Sequence, residues 1–102
     1  MRKVAIVGGG ATRCGKREAT WRELVQEAGK EMFKSVDNLA PKNVEALIVG
    51  AAEPERFAFQ AHVAPMAAEY LGITPTKVVA RTELMCASGQ AAIRYAWACV
   101  AS

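Results

Sequence analysis

Histidine and aspartate are nearly missing from this chain, which holds one of each, His62 and Asp37. There is no C-x-x-C pair either, so the donors for a protein-built metal cage are too few. Cysteine is scarce and odd in number. Cys14, Cys86 and Cys99 are widely spaced, and no export signal accompanies them, which argues against a disulfide framework. Long apolar runs are absent: the longest, Tyr95 to Ala101, is far short of the roughly 20 residues that span a bilayer. Arg2 and Lys3 imitate the basic start of a signal peptide, but the apolar run Val4 to Val7 stops at three glycines. A cytoplasmic protein that does not contact the membrane is the expectation.

Aromatic residues make up 7% of the chain, and the net charge is a mild +3. The basic excess sits in the first 22 residues, where six Arg/Lys meet only Glu18. The loop Arg13, Lys16, Arg17 has no aromatic to stack a base, so nucleic acid is not an expected partner. Four prolines and eight glycines in 102 residues are too few for a collagen-like or linker sequence, while 52% apolar residues supply a core. The length is that of one domain, or a piece of a larger one.

The elements that are present alternate. Val4-Ala5-Ile6-Val7 reads as a buried strand entering a Gly8-Gly9-Gly10 loop. Thr20-Trp21-Arg22-Glu23 has the form of a capping box. Trp21, Leu24, Val25, Ala28 and Met32 then mark one face of an amphipathic helix, in which Gly29 costs up to about 1 kcal/mol relative to Ala. Asn38 to Asn43 is a turn, and Ala46 to Gly50 a second buried strand. Glu53-Pro54-Glu55 breaks the chain. A helix follows over Ala61 to Leu71, stopped by Gly72, with Pro65 in its first turn or at a kink. Lys77 to Thr82 is a third strand, and from Ala87 the pattern is helical again. The order β-α-β-α-β-α implies an α/β fold with parallel strands and right-handed crossovers.

The last helix is apolar all round, with Arg94 its only charge. Such a helix must be covered all round. Three strands and two helices cover one side of it, so the chain is expected to be the start of a longer protein.

The loop Gly10-Ala11-Thr12-Arg13-Cys14-Gly15-Lys16 matches G-x-x-x-x-G-K, but Arg17 stands where a phosphate loop needs Ser or Thr for magnesium. The helix also starts too late for Lys16 to lie in its first turn. Arg13 likewise replaces the third glycine of a dinucleotide fingerprint. A glycine-rich turn with solvated basic side chains is the better description.

Cys86 is the candidate nucleophile. It sits in Met85-Cys86-Ala87-Ser88-Gly89, where the third strand ends and the apolar helix begins. Unpaired amides at a helix N-terminus favour thiolate, and α/β sheets place ligands at the C-terminal ends of their strands. Cys99, inside the apolar helix, reads as core packing. Cys14 has basic neighbours but neither a base nor a helix start. His62, among Ala61, Val63 and Ala64, reads as a packed or partly exposed residue rather than a base. A Cys nucleophile needs a base and an oxyanion hole besides its own helix, and this stretch supplies no convincing base.

Gly8-x-Gly10-x-Thr12 with Gly15-Lys16-Arg17, Leu47-Ile48-Val49-Gly50, Tyr70-Leu71-Gly72 and above all Cys86-Ala87-Ser88-Gly89 with Ala91-Ala92-Ile93 resemble the N-terminus of a thiolase. The likeness is to the archaeal and sterol-carrier-protein-x type, and it spans the whole chain in order. The resemblance implies a three-layer αβαβα fold of two similar halves. Residues 1–102 would be the N-terminal part of the N-terminal domain, truncated at its C-terminal end, and would supply most of the first half.

It implies that Cys86 is acylated by an acyl-CoA and then attacked by the methyl carbon of acetyl-CoA, or the reverse in thiolysis of a 3-ketoacyl-CoA. Acyl-CoA substrates, a homodimer or homotetramer, and no cofactor or metal belong to the same expectation. Thiolases draw their catalytic histidines, a second cysteine and most of their CoA-binding loops from later segments, so His62, Cys14 and Cys99 receive no such roles. Cys14 is one departure, since these thiolases tend to carry an aromatic before Gly-Lys. Ketoacyl synthases, hydroxymethylglutaryl-CoA synthase and a noncatalytic thiolase-like scaffold subunit share the placement of this cysteine and remain alternatives.

Overall fold

The computed structural model describes residues 2–102. In chain order its elements are α1 (Trp21–Lys34), β1 (Ala46–Gly50), α2 (Pro54–Phe57), α3 (Val63–Leu71), β2 (Val78–Thr82) and α4 (Ser88–Ala101). Tight 3-10 turns at Pro41–Asn43 and Met85–Ala87 precede β1 and α4.

Local chemistry sets most of these boundaries. Thr20 Oγ1 accepts the Glu23 N–H at 3.2 Å, making the first half of the expected capping box and fixing the start of α1. Gly72 ends α3 in the left-handed region, with φ 71°, and its N–H returns to Glu69 O. Pro65 falls in the first turn of α3, where no intrahelical donor is lost. Gly29 is buried because the side chain of Leu71 occupies the space that a Cβ would take. That close approach of α1 to α3 explains a glycine that helix propensity alone would disfavour.

β1 and β2 pair in parallel, in register from Ala46 against Val78 to Gly50 against Thr82. Side chains alternate along each strand, so Ala46, Ile48 and Gly50 share one face and Leu47 and Val49 the other. Gly50 lies against the backbone of Ser88, which puts α4 on the first face. α3, the crossover between the strands, packs on the second face, and α1 packs on α3. The most buried apolar side chains are those of α3 and the residue just beyond it: Val63, Ala64, Ala67, Ala68 and Ile73.

The expected β-α-β-α-β-α order is corrected at its first element. Val4–Val7 forms no strand, and Ile6 is 89% exposed. Strand formation needs a paired edge, and this segment is instead led onto the end of α1, where the Gly9 N–H donates to Ser35 Oγ at 3.0 Å. Among the described residues the sheet has two strands. A second correction concerns Glu53-Pro54-Glu55. The chain does turn there, with Glu53 at φ 45°, but Pro54 then opens the short α2, as a proline at the first helical position can. No helix among the described residues is long and apolar enough to cross a membrane.

Candidate active site

The C-terminal ends of β1 and β2 present two loops, 51–62 and 83–87, and Cys86 lies in the second. Cys86 belongs to the 3-10 turn Met85–Ala87, so the α-helix proper starts two residues later, at Ser88. The thiol is exposed.

Ser88 holds this turn together. It is 4% exposed, and its Oγ accepts the Leu84 N–H at 2.9 Å while donating to Met85 O at 2.7 Å. The Ala87 N–H closes the same turn onto Leu84 O at 2.8 Å. Met85, immediately before the cysteine, has φ 47°. A bulky residue in the left-handed region stores roughly 1–3 kcal/mol of strain and persists where its surroundings over-determine it. Glu53 and Phe59, in the facing loop, also have positive φ. Among the described residues, three of the four non-glycine residues with positive φ therefore gather at this end of the sheet, the fourth being Asn38 in the turn after α1. Strain clusters at functional sites more than elsewhere.

Gly50 sets the depth of the helix. A Cβ there would meet the Ser88 carbonyl oxygen, with the Ser88 carbonyl carbon at 2.6 Å and the Gly89 nitrogen at 2.9 Å. The backbone of β1 thus touches the first turn of α4, two residues after Cys86. An open groove of about 860 Å3 runs from Leu84 and Ala87 along α4 to Tyr95 and Cys99.

The other sequence candidates lie apart from the Met85–Ala87 turn in sequence, although His62 ends the facing 51–62 loop. His62 stands at the N-cap position of α3, makes no capping hydrogen bond with its side chain and is exposed. Cys14 lies on the N-terminal loop and is exposed. Cys99 corrects the expectation of core packing, because it is exposed among the described residues and lines the groove. In the basic loop Arg13 and Lys16 are exposed, as expected, while Arg17 is half-buried. Arg17 grips Glu27 of α1 through both nitrogens at 2.7 Å, and that hydrogen bond, ahead of simple charge attraction, holds the Glu27 carboxyl below the usual range. α1 begins at Trp21, so Lys16 stands outside it. Among the described residues no group of three or more His, Cys, Asp or Glu is placed to hold a metal ion.

Sequence reasoning missed three residues of the site. Ser88 and Gly50 were legible only as parts of motifs. Arg81 reads from the sequence as a strand residue only, although an arginine inside a short apolar strand is itself a signal that carboxylates await it.

Residues 4–102 match the model of the thiolase N-terminal domain family. An acetyl-CoA acetyltransferase of Methanocaldococcus jannaschii is 37% identical, and one of Methanothermobacter thermautotrophicus 31% identical, each over the whole of this chain. The chain belongs to the thiolase family, with its α/β fold. It spans about a quarter of the length of these curated relatives, 26% of each.

Proposed function

We propose that the protein carrying this chain is an acyl-CoA acyltransferase that condenses two acetyl-CoA into acetoacetyl-CoA and CoA, or runs the reverse thiolysis of a 3-ketoacyl-CoA, through a thioester on Cys86. The observation that carries this reading is an exposed cysteine on a strained, internally braced turn at the C-terminal end of the sheet, within Cys86-Ala87-Ser88-Gly89 of a thiolase-family chain. Both relatives carry the name acetyl-CoA acetyltransferase, which supports the substrate class.

The chemistry asks little of the chain itself beyond position. The Cys86 thiolate attacks the thioester carbonyl; the new Sγ–C bond forms, the bond to CoA sulfur breaks, and the CoA thiolate leaves to take up a proton. A second acetyl-CoA then loses a proton from its methyl carbon. The carbanion attacks the acyl-cysteine carbonyl, a C–C bond forms, and the Cys86 thiolate is released. The groups that move these protons are assigned to segments outside residues 1–102, and no metal or prosthetic group is called on. The same reading makes α4 one of two central helices of a three-layer αβαβα fold, whose second half would cover the exposed Ile93 and Val100. Residues 1–102 would then be the first part of the N-terminal domain, in a homodimer or homotetramer.

Thiolysis of acetoacetyl-CoA by the complete protein, followed as loss of the substrate's absorbance, tests the reading. Turnover that Cys86→Ser abolishes is expected. Turnover that survives in Cys86→Ser would exclude the thioester, and a folded wild type without turnover would favour the noncatalytic scaffold.

A further inference from the structure

One guanidinium ties the loop that carries Cys86 to the loop that faces it. Arg81 is the penultimate residue of β2, and its side chain is 23% exposed. Its Nη1 and Nη2 donate to the two oxygens of Glu55 in α2 at 2.8 and 3.0 Å. Nη2 also donates to Glu83 Oε1 at 2.7 Å, and Nη1 to Ala61 O at 3.2 Å. The second oxygen of Glu83 accepts the Glu53 N–H at 2.9 Å. Three pieces of chain therefore meet at one side chain, α2, the segment leading into α3 and the start of the 83–87 loop, and Glu83 in turn reaches the N-cap of α2.

Only Leu84 and Met85 separate Glu83 from Cys86, and Met85 holds the strained φ. Its position is defined from both ends. Ser88 braces the C-terminal end through Leu84 and Met85, and Glu83 anchors the N-terminal end. Glu55 and Glu83 repel one another, and Arg81 is the cation that bridges their carboxylates. Without the guanidinium the two carboxylates would repel, and Glu83 would keep only its bond from the Glu53 N–H.

We propose that Arg81 is a positioning residue for Cys86: by clamping Glu83 to Glu55 it fixes the strained Met85 turn and hence the place of Sγ relative to α4. This rests on the reading of Cys86 as the acylated residue. The fork geometry matters as much as the charge, because lysine offers a point charge that cannot hold both oxygens of Glu55 and one of Glu83 at once.

The test uses the complete protein and follows acetylation of Cys86 by acetyl-CoA in a single turnover, with peptide mass spectrometry as readout. Arg81→Gln is expected to lower the rate constant at saturating acetyl-CoA by about 10- to 100-fold, as misplacements of order 1 Å do, while leaving half-saturation within about threefold. Arg81→Lys is expected to restore only part of the rate. Leu71→Ala, which loosens α3 against α1 away from Cys86, serves as a control of matched lowered melting temperature and should acetylate at the wild-type rate.

Wild-type rates in folded Arg81→Gln, full rescue by lysine, or equal slowing in Leu71→Ala would each overturn the proposal. If Arg81→Gln does not fold, Glu83→Gln keeps an acceptor for the Glu53 N–H but loses the charged contact; slowing supports the proposal and a wild-type rate overturns it. A wild type that never acquires the adduct overturns the nucleophile reading, and this inference with it.

Discussion

Gly50, the last residue of β1, lies directly beneath the carbonyl of Ser88, the first residue of α4, with no room between them for a methyl group. The contact is backbone against backbone, so neither side can swing away as a flexible side chain would. Because Ser88 also holds the turn that contains Cys86, the depth of Gly50 is passed to the cysteine through a single residue.

Gly50→Ala should therefore both destabilise the protein and slow acetylation. Overpacking of this kind costs about 1–3 kcal/mol. A thermal melt of the complete protein should show the loss, and Cys86 acetylation should slow in the fraction that remains folded. A melting temperature equal to wild type would mean that β1 and α4 are further apart than described.

Gly29→Ala sets two effects against each other. Alanine gains up to about 1 kcal/mol of helix propensity, but its methyl group runs into the Leu71 side chain. The obstructing atoms are the end of a leucine, so truncating Leu71 should relieve them. Gly29→Ala is expected to lower the urea midpoint, and adding Gly29→Ala to a Leu71→Ala background to raise it. Additive effects would contradict direct contact.

Among the described residues Thr82 Oγ1, buried at the end of β2, has no hydrogen-bond partner. A hydroxyl in that position is penalised by about 1–3 kcal/mol. Thr82→Val keeps the shape and removes the penalty, so the melting temperature should hold or rise. A clear fall would mean that the hydroxyl has a partner in the complete protein.

Acid should release the Arg81 clamp. The Glu55 carboxyl is held below its usual range chiefly by the hydrogen bond from Arg81; Glu83 is held down first by the Glu53 N–H and then by Arg81. Folded values below the unfolded value, near about 4.3, mean that the stabilisation is complete above that pH and fades as pH falls through the lower folded values. Urea midpoints should therefore separate wild type from Glu55→Gln near neutral pH, and the gap should close in strong acid. A gap that is constant with pH would contradict the ion pair.

Much of this was legible from residues whose meaning is local. Thr20 with Glu23 marked the start of α1, Gly72 the end of α3, and the β-branched runs the two strands that form. Cys86 was placed correctly between a strand and a helix. What was not legible depends on partners distant in sequence. Val4–Val7 has the composition of a strand, but composition does not supply an edge to pair with. The left-handed Met85 follows from Ser88 and Glu83 acting from either side, which no propensity encodes. Cys99 was assigned to a core because its helix is apolar, whereas the described residues leave that side of α4 open.

The central claim is the thioester on Cys86, and intact-mass analysis of the complete protein after incubation with acetyl-CoA tests it most directly. The account predicts one acetyl group, mapped to the Cys86 peptide, lost on adding CoA and absent in Cys86→Ser. No adduct, with Cys86 as slow toward iodoacetamide as a buried thiol, would contradict it.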